Sequence, residues 1–244
     1  MSFPQPSKEK NKIKLSIIIP ALNEEDYLPI LLGEIKKQRF SQSYEIIVAD
    51  AGSTDKTVEI AKNFGCKIVK GGLPAKGRNE GAKIAKGELL LFTDADNIYF
   101  PENFLEELIN EFEKRRLDVA SFPIFPKGKF IDKVIFGIYN LFVFLVQPFS
   151  AFAFNSILIK KSLHQKIGGF DEEIKIAEDH WYAKTAKKFG RYGFIKTKPV
   201  LTSARRLERE GRLKIYLKYL LAGVYLILFG KIKKDIFRYS LEKR

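Results

Sequence analysis

Short apolar runs alternate with amphipathic stretches over most of the first hundred residues. Lys14 to Pro20 (K-L-S-I-I-I-P) is β-branched and closed by proline, the pattern of a strand buried on both faces of a parallel sheet. It predicts a first strand beginning near Ile13. Asn23 and Glu24 open a predicted helix whose apolar residues Leu28, Leu31, Leu32 and Ile35 recur at helical spacing. Lys36, Lys37 and Arg39 crowd its last turn, where the helix dipole favours cations. Tyr44 to Ala49 reads as a second strand ending at Asp50, and Ala51-Gly52-Ser53-Thr54-Asp55 as a turn into a capped helix that runs to about Phe64. A strand at Lys67 to Lys70, a helix from about Gly77 to Lys86 and a strand from Glu88 to Phe92 continue the alternation. This βαβαβαβ order predicts an α/β fold: a parallel sheet with helices on both faces and ligands beyond the carboxyl ends of its strands.

Polar residues fall at that edge. Asn23 and Glu24 follow the first strand, Asp50 the second, and Asp94 and Asp96 the fourth. Read as the end of a strand, Asp94 and Asp96 are one residue apart and point the same way, so they can face one cation or diphosphate together. A plainer reading makes D-A-D an acidic turn, Asn23 a helix cap and Asp50 an Asx-turn residue. Their joint placement favours a nucleotide site.

Composition narrows the setting. The 244 residues are 45% hydrophobic, enough for a proper core, and 43 Lys and Arg against 29 Asp and Glu leave a net charge of +14. Anionic partners follow, whether phosphorylated substrate, nucleic acid or an anionic membrane. Nucleic acid is disfavoured because aromatic and basic residues do not interleave as a recognition module requires. The single Cys66 excludes an intramolecular disulfide and a cysteine-rich zinc site, and fits a reducing cytosol. Residues 1–12 are polar, with no apolar core of a signal peptide, and read as a flexible leader.

Taken together, strand then P-A-L-N-E-E, strand then D-A-G-S-T-D-K-T, G-R-N-E-G-A, L-F-T-D-A-D, Gly168-Gly169-Phe170-Asp171 and Glu178-Asp179 resemble the family 2 glycosyltransferases over roughly residues 14–205. The resemblance implies the GT-A fold, a Rossmann-like, mixed but mostly parallel sheet with helices on both faces. It implies a nucleotide-sugar half at residues 13–98 and an acceptor half at 99–206. Pro20, Ala21, Asn23, Glu24 and Asp50 would then hold the nucleoside, with Asp50 accepting from the base. Arg78, in a basic loop Lys76-Gly77-Arg78, would contact the base or diphosphate, which suits a planar, five-donor guanidinium. Across Asp94-Ala95-Asp96, Asp94 would reach the ribose or a metal-bound water and Asp96 would ligate Mg²⁺ or Mn²⁺. Asp179 would be the base of an inverting single displacement, with Glu178 orienting it or an acceptor hydroxyl. Arg205 and Arg206, in a Ser-Ala-Arg-Arg segment seen in one branch of the family, would close over the donor diphosphate or grip an acceptor phosphate, or else be surface charge. His180 and His164 read as packing residues in preference to metal ligands, and Trp181 as core. A nucleotidyltransferase or an idle donor-binding module of the same fold is the alternative, against which Glu178-Asp179 argues.

Two stretches are too apolar for a plain soluble enzyme: Val134 to Val146, within a helix at 131–147, and Tyr219 to Gly230, framed by Lys214, Lys218, Lys231, Lys233, Lys234 and Arg238. Twelve helical residues rise about 18 Å against roughly 30 Å of hydrocarbon, so neither spans a bilayer. The favoured reading is a monotopic enzyme on the cytoplasmic face of the membrane, with 207–244 as membrane-associating helices and a lipid-linked or glycan acceptor. The competing reading packs these helices on each other or in a homodimer. Phe152-Ala153-Phe154-Asn155 is more apolar than that branch leads one to expect, which makes acceptor identity the least transferable inference.

Overall fold

The computed structural model describes residues 12–228 and 230–232. Most of the leader, Phe229, and Lys233, Lys234 and Arg238 of the basic C-terminal stretch lie outside them. In chain order the elements are β1 (Leu15–Ala21), α1 (Leu28–Lys36), β2 (Tyr44–Asp50), α2 (Thr57–Asn63), β3 (Lys67–Lys70), α3 (Pro74–Ile84), β4 (Leu89–Thr93) and β5 (Asn97–Tyr99). Then come α4 (Phe104–Lys114), β6 (Val119–Ser121), β7 (Ile124–Lys127), α5 (Phe130–Val146), β8 (Ser156–Lys160), α6 (Lys161–Lys166), α7 (Glu178–Lys187), β9 (Tyr192–Phe194), β10 (Val200–Ser203), α8 (Arg205–Glu210) and α9 (Arg212–Leu228).

The predicted alternation forms one seven-stranded sheet ordered β3-β2-β1-β4-β8-β6-β9. Strands β1 to β4 pair in parallel, while β8 runs antiparallel between β4 and β6. Period-two alternation explains why β1 is buried along its whole length: Leu15, Ile17 and Ile19 enter the core on one face, and Ile18 the core on the other. Helices α1, α2 and α4 cover the first face; α3, α6 and α7 cover the second. A three-stranded sheet, β5-β10-β7, stands beside the carboxyl edge.

Two helix starts differ from the sequence expectation. Helix α1 begins at Leu28, with Pro29 in its first turn, and not at Asn23, which sits at φ 52° in the preceding loop. Helix α3 begins at Pro74, so Lys76-Gly77-Arg78 is helical and not a loop. Proline sets φ for a first helical turn and gives up an N–H that has no intrahelical partner there.

The two apolar segments become α5 and α9. Phe136, Asn140 and Val143 of α5 turn inward, and Asn140 donates to the carbonyl of Ile124; Ile138, Leu141 and Leu145 face outward. Helix α9 buries Ile215, Ala222 and Leu226 and exposes Leu213, Leu217, Leu220 and Leu221. The buried Asp132 joins the two helices: it accepts from Arg212 Nε at 3.0 Å and from the Tyr216 hydroxyl at 2.5 Å, and closes a capping box with the Lys129 N–H at 2.7 Å. Burial opposes ionisation of Asp132, yet the Tyr216, Lys129 and Arg212 donors outweigh it and hold the carboxyl below its usual range. No helix among the described residues is long and apolar enough to cross a membrane.

Helix α3 lies close against β1, and a Cβ at Gly81 would run into the Ile18 side chain. Gly81→Val is expected to lower stability by about 1–3 kcal/mol through overpacking, measured by denaturant unfolding. Unchanged stability would mean the contact is looser than described.

Candidate functional site

The parallel strands β1, β2 and β4 end on one edge, at Ala21, Asp50 and Thr93, and antiparallel β8 begins there because Ser156 pairs with Thr93. The first two loops are knitted together. The Asn23 N–H donates to Ser53 Oγ at 2.9 Å, the Thr54 N–H to Asn23 Oδ1 at 2.9 Å, and the Glu24 N–H to Thr57 Oγ1 at 2.8 Å. Asp50 accepts from the N–H groups of Gly52 and Ser53 and from Ser53 Oγ at 2.5 Å, so the Asx turn is real and presents this loop beside Asn23. Pro20 packs beneath Gly77 of α3.

Asp94 and Asp96 depart from the strand geometry. Strand β4 ends at Thr93, and the two acids occupy a turn. They serve different partners: Arg78 Nη2 donates to Asp94 at 2.8 Å, while Arg205 Nη2 lies 3.6 Å from Asp96 and Thr202 Oγ1 lies 3.4 Å from it. The physical reason is a turn closed by the Asn97 N–H donating to the Asp94 carbonyl at 3.3 Å, with Ala95, 3% exposed, seated in the main core between the two acids.

Arg78 is 2% exposed. Its other terminal nitrogen donates to Glu178 at 2.6 Å, and the guanidinium lies 5.3 Å from the Phe170 ring centroid. Burial by itself would lower its pKa, but Asp94, Glu178 and Asp179 outweigh it and raise the value above normal. Arg205, at the start of α8, donates to Glu24 at 2.6 Å and stacks 4.4 Å over Tyr27. Burial again opposes the charge, and Glu24 and Asp96 carry its pKa upward. Glu24 is 2% exposed and its second carboxylate oxygen is buried without a hydrogen-bond partner among the described residues. Arg206 instead pairs with Glu210 one turn on, and Lys76 is exposed on α3.

Glu178 and Asp179 open α7 after Ala177, a non-glycine residue at φ 58°. Such left-handed strain costs about 1–2 kcal/mol and turns the chain into the helix at the two acids. Asp179 accepts from the Asn155 N–H at 2.7 Å and the His180 N–H at 2.8 Å. His180 is a packing residue, stacked at 14° on Tyr139 of α5 and edge-on to Phe152; its Nδ1 is buried, 3.5 Å from Asp179. Burial and then the charge of Asp179 push the Tyr139 phenol well above its ordinary range. His164 lies elsewhere, bonded to Tyr182 at 2.6 Å, and burial and then Lys161 lower it to about 4. Trp181 packs against Ile176 and Ala222, with Lys184 and Lys231 over its ring. Sequence reasoning missed Asn97, Asn155 and Tyr139; only an asparagine directly before a strand start hinted at the left-handed bend at Asn155, φ 46°.

A sequence model of the family described as glycosyl transferase family 2 matches residues 16–145. The poly(ribitol-phosphate) beta-glucosyltransferase of Bacillus spizizenii is 31% identical over 206 residues, covering 79% of this chain and 31% of that protein. Residues 1–349 of Staphylococcus aureus TarS, in complex with UDP, superpose with a TM-score of 0.65 at 24% identity, over 78% of this chain and 60% of that one. The mannosyltransferase PcManGT of Pyrobaculum calidifontis, in complex with GDP-Man and Mn²⁺, gives a TM-score of 0.66 at 19% identity, over 89% of this chain and 70% of that one. The chain spans between a fifth and a third of the length of the first curated relatives it matches. With the match running through β1, β4 and the D-A-D turn over more than half of the residues, the chain belongs to glycosyl transferase family 2 and has the GT-A fold.

Proposed function

We propose that this protein is an inverting glycosyltransferase that moves a sugar from a UDP- or GDP-linked donor to an acceptor hydroxyl, with Asp179 as the base. One observation carries the reading: a single buried guanidinium, Arg78, bridges Asp94 of the D-A-D turn to Glu178, the neighbour of Asp179. Donor-side and acceptor-side acids are thereby held on one edge. Asp179 removes the acceptor proton as the sugar C1 to diphosphate oxygen bond breaks and the new C1–O bond forms, with inversion at C1. Two backbone N–H groups orient its oxygens without consuming the carboxylate's remaining lone pairs. Asn23, Glu24 and Asp50 frame the nucleoside end.

The donor set fits a divalent cation of the Mg²⁺ or Mn²⁺ class. Glu24, Asp94, Asp96 and Glu178 place four carboxylates against the guanidiniums of Arg78 and Arg205, and a diphosphate adds further negative charge. Among the described residues no three His, Cys, Asp or Glu gather as a metal site; an ion of this class takes one or two carboxylates and completes its shell with phosphate and water. Asp96 would hold it, with Asp94, drawn aside by Arg78, reaching the ribose or a metal-bound water, and when bound the ion would neutralise the departing diphosphate.

The acceptor is read as lipid-linked, presented at an anionic membrane. Helix α5 supports this: its inner face touches His180 through Tyr139, while Phe130, Ile138 and Leu145 on its outer side are 81%, 64% and 61% exposed. Leu213, Leu217 and Leu220 of α9 add to the exposed apolar surface, and the net charge of +14 suits lipid phosphates.

UDP or GDP with Mn²⁺ is expected to raise the melting temperature by several degrees, since ligand at 100 times Kd contributes about 2.7 kcal/mol, with little effect when EDTA replaces the metal. Equal shifts with EDTA would remove the metal. Asp179→Asn should lower turnover by a factor of at least about 10³ while nucleotide binding by calorimetry stays within twofold. Near-normal turnover would remove Asp179 from the role of base. In flotation assays the protein should rise with anionic phosphatidylglycerol vesicles, and Ile138→Glu with Leu145→Glu should leave it in the aqueous fraction. Absence of flotation for the unmodified chain would turn these faces toward a protein interface.

A further inference from the structure

Asp179 takes its orientation from main-chain donors, and one of these, the Asn155 N–H, belongs to a residue with an unusual backbone. Asn155 sits at φ 46° immediately before β8, where the Ser156 N–H bonds back to the carbonyl of Phe154 at 2.6 Å. A bend of this kind stays in place only when its surroundings over-determine it. They do so through a buried cluster of amides and hydroxyls. Asn155 Nδ2 lies 3.4 Å from Asn97 Oδ1, and Asn97 Nδ2 donates to Thr93 Oγ1 at 2.7 Å and lies 3.2 Å from Ser156 Oγ. Ser156 Oγ is 3.2 Å from both Thr93 Oγ1 and Asn155 Oδ1, so its one proton serves one of them at a time. Asn97, Thr93, Ser156 and Asn155 are 0%, 0%, 2% and 8% exposed.

Thr93 and Asn97 are the residues on either side of the D-A-D turn, whose ends are also joined by the Asn97 N–H to the Asp94 carbonyl at 3.3 Å. The same four side chains therefore shape the donor turn and fix the N–H that aims Asp179. We propose that Asn155 is a positioning residue for the reaction: its side chain, locked to Asn97, Thr93 and Ser156, sets the distance between the D-A-D turn and the Asp179 carboxylate. This rests on Asp179 acting as the base. In-line displacement is sensitive to such placement, since a misfit of about 1 Å costs roughly 10²-fold in rate. A packed amide cluster holds the distance firmly, because each buried polar group that slips loses its partner without gaining water.

Asn155→Gly tests this cleanly. Glycine accepts the positive φ and keeps the N–H to Asp179, so only the side-chain lock is removed. The full chain is assayed with Mn²⁺ for release of nucleoside diphosphate from UDP-glucose and GDP-mannose, water serving as acceptor. The expected result is a fall of about 10-fold or more in kcat, with donor KM and nucleotide-induced thermal shift each within twofold of the parent; Ser156→Ala should act in the same direction. Combined with Asp179→Asn, Asn155→Gly should cost nothing further, because it acts through that carboxylate. An unchanged kcat in Asn155→Gly, a parallel loss of kcat, donor binding and melting temperature, or full additivity with Asp179→Asn would each overturn the proposal. Near-normal release by Asp179→Asn alone would instead overturn the base assignment on which it rests.

Discussion

The buried guanidinium of Arg78 is the constraint on which the edge of the sheet depends. A cation so far from water costs several kcal/mol unless good partners surround it. Here the partners are Asp94, 16 residues away, and Glu178, 100 residues away. Helix α3, the end of β4 and the start of α7 therefore share one electrostatic requirement. Each of the three also packs in the same core, where Ala82, Phe92 and Ala183 meet, so apolar burial and ion pairing demand the same arrangement. Gly81 lets α3 approach β1 closely enough for Arg78 to arrive at that depth.

A second arginine does comparable work on the other side of the D-A-D turn. Arg205 comes from the small sheet's far end, where the Ser203 N–H bonds to the Asp96 carbonyl at 2.8 Å, and it ties Asp96 to the buried Glu24. Each acid of the turn thus has its own guanidinium. The two cations hold the acids apart, which a strand end alone would not do, and they leave the site with more carboxylates than guanidiniums. That imbalance is the electrostatic basis of the divalent cation proposed above.

Helices α5 and α9 extend the edge outward. Asp132 fastens them at their N-terminal ends through Arg212 and Tyr216, and Phe154 reaches α5 at Phe136 and α9 at Tyr219. Asp179, the proposed base, is one stacked pair, His180 on Tyr139, from a helix whose opposite face is apolar and exposed. One helix thus presents a polar-lined inner side next to Asp179 and an apolar, exposed outer side.

Much of this was legible in the chain. Runs such as K-L-S-I-I-I-P and E-L-L-L-F announce strands buried on both faces because alternation places every residue in one core or the other, and the acids after them mark the ligand edge. Glu178-Asp179 was readable as a helix start. The three-residue strands β5, β6 and β9 were not readable, since so few residues carry no period. Nor was the true start of α1 and α3, where proline outweighed the acidic and basic signals nearby.

The sequence by itself determined the alternating α/β layers, the chemistry available at the sheet edge, and the apolar character of α5 and α9, because these follow from local periodicity and residue type. Tertiary structure alone decided that Asp94 and Asp96 diverge toward different arginines, that Arg78 is buried between distant acids, and that Asn97 and Asn155 meet beside Asp179. These pairings join residues from 16 to more than 100 positions apart. They exist only once the sheet has fixed which strand ends are neighbours, and no local pattern encodes that.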